Sequence, residues 1–453
     1  MKASNFCRFA TAVCTVSLFF TGCAGSQGQP GAPPTTQQNA AARPNATLTA
    51  FTVKGRFIYL SKNGASAKKF FVKGVDYGPT PIGAYPWGAP LMNDPLRNAN
   101  SEIWERDLSL LHAMKANAIR VYNVVPPPYD KDTGPISNFL DAAWGDGSDP
   151  IYALLTIYFD GSALDNDASA KDLATQYYDM DKKYALYPAV MGVTISNEIF
   201  HAPSWTNAHW WNNFNEVAKA AKAGFAAGGN ANKIIATSNH DSVDPTGKIL
   251  LVIHYGELYH AQVDVWGDNP YRGRSFGQGP SGLFTQIRKE TTKPVLLTEY
   301  GAPASYHPDW SNTYKYPKNL NGPGSCNPTQ PSGPVNRNAA ELPASGNPGI
   351  DGMVDLVSNN SKLISDGYNE DGVVSGGFYF EWTDEWWKAD SNNPAYASEH
   401  VGDRVFTGHF PGCAYDHAWF GLNAISPGSK KFLDTLTARP TVEALKDAWE
   451  LEK

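Results

Sequence analysis

The stretch "AVMGVTISNEIF", residues 189–200, runs through small and β-branched residues and then ends on an amide and a carboxylate, Asn197 and Glu198. A short apolar run with polar punctuation reads as a strand buried on both faces, the kind that parallel sheets use. Burying a carboxylate costs several kcal/mol unless it is paired or hydrogen-bonded. Glu198 therefore either emerges into solvent or stands at the rim of a pocket that uses its charge.

Working outward, the same pattern recurs. "FTVKGRFIYLSKNGASAKKFF" reads as two short strands joined through a Lys-Asn-Gly turn, and "KFFVKGVDY" as a more buried strand. Then "SEIWERDLSLLHAMKANA" has helical apolar spacing and precedes the strand "NAIRVYNV"; "PIYALLTIYFDG" is a strand before the helix "SAKDLATQYYDMDKKYA". After residues 189–200 come the helix "WTNAHWWNNFNEVAKAAKAGFAAGG" and the strand "KIIATSNH". "VDVWGDNPY", "KPVLLTEYGAP" and "VVSGGFYFEWTDEWW" supply three further strands, with helices at "SGLFTQIRKETT", "MVDLVSNNSKLISDG" and "TVEALKDAWELEK". Eight strands separated by crossovers predict an α/β fold of the (β/α)8 TIM-barrel type with long loops on its catalytic face. An open doubly wound sheet is the rival, but no Gly-rich phosphate turn follows an early strand.

Composition narrows the partners. The 453 residues hold 13 Trp, 22 Tyr and 21 Phe with a formal charge of -7, which suits sugars or apolar ligands and argues against a nucleic-acid or anionic-membrane surface. Lys2 and Arg8, the apolar "FATAVCTVSLFF" and the small residues "TGC" form a secretory signal. The arrangement resembles a bacterial lipoprotein signal, in which residues 1–22 are removed and Cys23 carries the lipid. Phe20 stands where Leu is usual, so ordinary cleavage after a small residue remains open. Residues 23–47, rich in Pro, Gly, Gln, Ala and Thr, read as a disordered tether, and residues 48–453 as one catalytic domain. Membrane association is then expected only through the anchor, in the cell envelope. With Cys7 and Cys14 in the signal, Cys326 and Cys413 remain, both in Gly/Pro-rich loops, and an exported chain is expected to join them. They fall in two long inserts, residues 302–350 and 388–427, which read as binding loops. No HExxH, CxxC or His cluster suggests a metal.

Polar residues collect at the C-terminal ends of the expected strands: Asp76 and Tyr77, Arg120, Tyr122 and Asn123, Asn197 and Glu198, Tyr271, Glu299 and Tyr300, then Glu381, Trp382, Asp384 and Glu385. In a barrel these ends converge on one pocket, so Glu198 and Glu299 can face each other. Two carboxylates in an aromatic-lined pocket suit glycosidic bond cleavage, one giving a proton to the leaving oxygen while the other attacks the anomeric carbon or activates water. Asp384 and Glu385 form a rival pair. His254 ends the apolar run "ILLVIHY" and reads either as a site residue or as an ordinary core or loop histidine.

The motifs "VKGVDYGP", "IRVYN", "SNEIF", "DVWGDNPYRG", "LLTEYGA" and "GGFYFEWTDEWW" resemble, in order and spacing, retaining β-glycosidases of the (β/α)8 clan. They are most similar to glycoside hydrolase family 72, the β-1,3-glucanosyltransferases of fungal cell walls. The resemblance implies that Glu198 is the general acid/base and Glu299 the nucleophile. It further implies that Asn197 bonds the sugar's 2-hydroxyl, Arg120 supports the nucleophile, Tyr271 holds its carboxylate, Trp382 floors the reacting subsite, and Tyr77 and Tyr122 contact the ring. Double displacement of this kind needs no metal or organic cofactor. The implied substrate is a β-glucan or related oligosaccharide, with an acceptor sugar stacking on the Trp-rich loop after the eighth strand. Hydrolysis of a mannan or galactoside, or a catalytically silent sugar-binding protein, are the alternatives. The sequence departs from the fungal pattern at Ala302, where a Cys is usual.

Overall fold

The computed structural model describes residues 47–450 apart from 132–134, 202, 242–247, 272–275, 277–281, 305–347, 391–393, 399 and 401–416. The signal, most of the tether, Cys23, Cys326 and Cys413 lie outside the described residues.

The chain enters through a small antiparallel sheet, β1 (Thr49–Lys54), β2 (Phe57–Lys62) and β3 (Lys68–Lys69). Two strands were the expectation. The Asn63–Gly64 turn is present, but a second turn at Gly55–Arg56 divides the first run, and the alternating pattern on either side of it pairs in register from Thr49 with Lys62 to Lys54 with Phe57.

The main sheet holds β4 (Val72–Asp76), β5 (Ala118–Arg120), β6 (Tyr152–Ile157), β7 (Val190–Ile195), β8 (Ile234–Ala236), β9 (Asn239–His240), β10 (Trp266–Asn269), β11 (Val295–Tyr300) and β12 (Val374–Tyr379). All neighbours are parallel, in the order β8-β7-β6-β5-β4-β12-β11-β10-β9. The two ends of this ladder, β8 and β9, are halves of one strand interrupted at Thr237–Ser238. The ladder therefore closes on itself: Ala236 bridges Val265 in parallel, and the Thr237 N–H donates to the Val265 carbonyl at 3.3 Å. Counted as one strand, residues 234–240 complete an eight-stranded barrel, and the open doubly wound alternative falls.

Helices α1 (Ser101–Ala113), α2 (Ser137–Trp144), α3 (Asp167–Tyr184), α4 (Ala208–Ala227), α5 (Lys248–Leu258) and α6 (Leu283–Glu290) follow successive strands, and the helices Pro348–Asp371 and Thr441–Glu450 come later. Asn166 and Asn207 cap α3 and α4, accepting from the backbone N–H of Ser169 and Trp210. Two elements depart from expectation. "KILLVIHYGEL" forms α5, burying Ile249, Val252 and Ile253 at helical spacing. Part of the expected 388–427 insert is an antiparallel hairpin, β13 (Asn423–Lys430) with β14 (Leu433–Ala438).

Two cores result from strand alternation. Val75, Ile119, Ala153, Leu155, Val193, Ile195 and Leu297 face the helices, while Val72, Ala118, Leu154, Ala236, Leu296 and Phe378 fill the barrel interior. Gly74 leaves room for that filling, since a Cβ there would stand 2.3 Å from the Phe378 ring. Below the barrel, Phe51 of β1 packs edge-on against Phe70 and Tyr152 and plugs the bottom. Further along the interior positions the chemistry changes: Ala118 gives way to Arg120, Leu154 to Thr156, Ala236 to Ser238 and Leu296 to Thr298. That switch from apolar to polar marks the floor of the site.

Candidate active site

The chain leaves β7 under local strain. Ser196 and Glu198 both hold positive φ, 54° and 52°, a region that costs a non-glycine residue about 1–3 kcal/mol. Neighbouring elements fix this turn. The Tyr177 hydroxyl of α3 accepts from Ser196 N (3.0 Å) and donates to Thr194 O (2.8 Å), and Ser196 Oγ donates to Phe159 O (2.7 Å). Glu198 N donates to Ser238 O at 2.9 Å. The result turns the Asn197 and Glu198 side chains into the barrel mouth, which is why the strand ends on a charge.

Arg120, fully buried at the end of β5, is the hub beneath them. Its Nη1 donates to Asp76 Oδ1 (2.9 Å), Thr298 O (3.0 Å) and Glu299 Oε1 (3.2 Å), and its Nη2 to Ser238 Oγ (3.0 Å) and Asn197 Oδ1. Ser238 Oγ also donates to Asn197 Oδ1 at 2.9 Å, so that oxygen is occupied and the amide NH2 of Asn197 is the group left to meet a ligand. Thr298 Oγ1 donates to Asn269 Oδ1 (2.7 Å), which orients the Asn269 amide so that Nδ2 donates to Glu198 Oε1 at 2.9 Å. His240 Nδ1 lies 3.4 Å from the same oxygen.

Glu299 receives donors on both oxygens: Tyr122 Oη at 2.9 Å and Arg120 on Oε1, Tyr271 Oη at 2.7 Å on Oε2. Phe380 stands edge-on to Tyr122 and Tyr271 and walls the carboxylate in. Burial pushes the Glu299 carboxyl above its ordinary range, Glu198 adds repulsion, and Arg120 with the two hydroxyls pulls the other way. Burial likewise raises Glu198, but the hydrogen bond and charge of His240, the Asn269 amide and Arg120 together outweigh it and hold Glu198 below the usual carboxylate range. Beneath, burial dominates at Asp76 and raises it well above normal despite Arg120. One proton shared across this group costs less than full ionisation, as in other close carboxylate pairs.

Above these residues opens a cleft of about 720 Å³ whose lining includes Tyr122, Tyr158, Asn197, Glu198, Glu299 and Phe380. Most expected residues meet here. Three do not play the part the sequence suggested. Trp382 is 1% exposed and sits in the layer between barrel and helices, and the ring that walls the cleft on that segment is Phe380. The strand ends at Tyr379, so alternation carries Phe378 inward and then Phe380, but does not extend to Trp382. Tyr77 touches the cleft yet is buried, its hydroxyl spent on Asp107 of α1 at 2.9 Å, so it is floor rather than ring contact. Asp384 is fixed by a bidentate pair with Arg439 at 2.7 Å on each oxygen and lies away from the cleft, whereas Glu385 lines it paired with Lys388. That divides the rival acidic pair. His254 lies on α5 with its side chain 61% exposed toward Glu290, remote from the site. Sequence reasoning passes over Ser238, His240, Asn269 and Thr298; Thr298 directly follows Leu297 and Ser238 lies two residues past Ala236, a signal that would have found them, whereas His240 and Asn269 follow polar or glycine neighbours and carry no such signal.

The model of the glucanosyltransferase family, glycoside hydrolase family 72, matches residues 40–311. The chain belongs to this family. A 1,3-beta-glucanosyltransferase of Saccharomyces cerevisiae is 24% identical over 270 residues, 58% of this chain and 51% of that protein. The chain thus spans about half the length of the curated family member it matches. Among solved structures, a β-galacturonidase from Eisenbergiella tayi bound to galacturonate superposes with TM-score 0.51 at 13% identity, over 89% of this chain and 54% of that one. A β-glucuronidase from Ruminococcus gnavus gives TM-score 0.52 at 13% identity, over 89% and 52%. At that identity the likeness concerns the barrel alone. In this family 72 chain, no group of three or more His, Cys, Asp or Glu among the described residues is placed to hold a metal ion.

Proposed function

We propose that the protein is a retaining β-1,3-glucanosyltransferase, cleaving a β-glucan chain and passing the cleaved part to another sugar. The observation that carries the reading is the convergence of Arg120, Tyr122 and Tyr271 on Glu299, in one cleft with Glu198. Three donors orient a carboxylate for attack. A Glu299 oxygen bonds to the anomeric carbon, the glycosidic C–O bond breaks, and the leaving oxygen takes its proton from Glu198. The acceptor hydroxyl then gives its proton to Glu198 as its oxygen displaces Glu299. Asn197 offers its NH2 to a hydroxyl of the reacting sugar.

The resting proton does not sit where the first step needs it, since Glu299 is raised and Glu198 lowered. The first step proceeds from the fraction of the enzyme in which the one shared proton sits on Glu198 and Glu299 is ionised. Forming the glycosyl ester then removes the Glu299 charge, so Glu198 loses proton affinity as it turns from acid to base.

The N-terminal pattern supports export with Cys23 lipidated and Cys326 joined to Cys413. A diacylglyceryl group on an N-terminal Cys23 peptide is the expected mass; an unmodified N-terminus beyond Cys23 would overturn the anchor. For the activity, the protein is incubated with reduced β-1,3-gluco-oligosaccharides beside Glu198→Gln and Glu299→Gln. Products longer than the donor, absent in both variants, are expected. Shorter products alone would make it a hydrolase, and turnover only of another β-glycan would replace the substrate.

A further inference from the structure

The cleft extends past the two carboxylates to a wall built from two loops, one following β4 and one following β12. They meet at Trp87 and Trp387, both lining the cleft, with ring centroids 5.4 Å apart and planes at 73°. Tyr85 braces both rings from behind, at 4.2 and 5.7 Å. Trp87 is nevertheless 54% exposed, an indole held in place but left in water. Beside the corner, Lys388 lies 5.4 Å from the Trp387 ring and pairs with Glu385, and both polar groups also line the cleft. Two apolar faces at an angle, edged by a hydrogen-bonding ion pair, match a pyranose, which has C–H faces and a hydroxyl rim.

We propose that the Trp87–Trp387 corner is a subsite for the donor chain, gripping a glycosyl unit on the side retained by Glu299. The inference rests on the transferase reading and assigns direction within it. Counted from β4 as the first barrel strand, β7 with Glu198 is the fourth, while the corner hangs from the eighth and the first, half a turn around the barrel. Glu198 protonates the departing sugar and later deprotonates the acceptor, so leaving group and acceptor lie on its side. The chain that stays on Glu299 runs the other way, toward the corner. This reverses the sequence-based expectation that the Trp residues after the eighth strand hold the acceptor.

The test compares kcat/KM on reduced β-1,3-gluco-oligosaccharide donors of increasing length, at fixed acceptor, for the protein, Trp87→Ala and Trp87→Phe. The loss in Trp87→Ala should be about tenfold greater on the longest donor than on the shortest, with Trp87→Phe recovering part of it and the acceptor KM shifting far less. An equal loss at every donor length, or a rise confined to the acceptor KM, would overturn the assignment. A parallel titration of Glu198→Gln, with and without Trp87→Ala, follows indole fluorescence against the same oligosaccharides and keeps the two readings apart. If the unsubstituted protein transfers no glucan but affinity still falls with Trp87→Ala in proportion to chain length, the transferase reading fails and the subsite stands. Transfer without any Trp87 dependence on length sinks the subsite alone.

Discussion

Arg120 illustrates how a single residue organises the site. A buried guanidinium needs acceptors for a fixed fork of donors, and here they come from four different strands or strand ends: Asp76, Asn197, Ser238, and Thr298 with Glu299. Arg120, Glu198 and Glu299 were legible in the sequence because a charge at the end of an apolar strand has few structural uses. Trp382, given a subsite role by the family resemblance, lies past the end of the strand at Tyr379 and is buried, and Phe380 takes the place at the cleft. Two predictions belong at this scale. Tyr271→Phe removes a hydrogen bond to charged Glu299, about 1.5–3 kcal/mol, so kcat/KM should fall roughly 10–100-fold. Because that bond lowers a carboxyl already raised by burial, and Glu299 is the higher of the pair in the free enzyme, its loss should also move the alkaline limb of the kcat/KM profile to higher pH. His240 acts on the other carboxylate. It holds Glu198 below Glu299 in the free enzyme, so His240→Asn should move the acid limb of the kcat/KM profile upward, and an unmoved limb would remove His240 from the proton account.

At the scale of elements, legibility followed how clean the periodicity was. The short apolar run of β11, buried on both faces, and the amphipathic α4 read directly, whereas α5 is apolar on nearly every face, with Leu251 and Leu258 exposed beside buried Ile249 and Ile253, so its helical period is masked. The start of β8 carries a second buried charge. Lys233 is fully buried, donates to Thr49 Oγ1 at 2.9 Å and to Val190 O, and burial lowers its pKa to about 7. The folded pKa is depressed below the unfolded one, so between about pH 7 and 10 the unfolded chain binds more protons. Stability attributable to Lys233 therefore rises with pH across that window, by up to about 1.4 kcal/mol per pH unit. Chemical denaturation of Lys233→Met across the same range should show that slope removed. An identical slope in both proteins would mean the amine stays charged in the fold.

Across the whole molecule, chemistry and stability occupy opposite ends of the barrel, as the apolar-to-polar switch along its interior requires. The count of eight strands made closure legible. The interruption at Thr237–Ser238 was not, because Ser238 is turned to serve Arg120 and Asn197, while Thr237 holds the neighbouring strand through its N–H to Val265 O and its Oγ1 accepting from Gly267 N. Phe51→Ala, at the bottom plug, should cost about 3–5 kcal/mol of stability while leaving kcat/KM of the folded protein within twofold. The central claim is that Glu299 becomes glycosylated, and trapping tests it most directly. A 2-fluoro β-glucosyl donor with an activated leaving group slows release of the covalent species, and peptide mass spectrometry then locates the adduct. The account predicts one fluoroglycosyl group on Glu299, absent in Glu299→Gln. An adduct on Glu198, or turnover of natural donors with inverted products and no adduct, would contradict it.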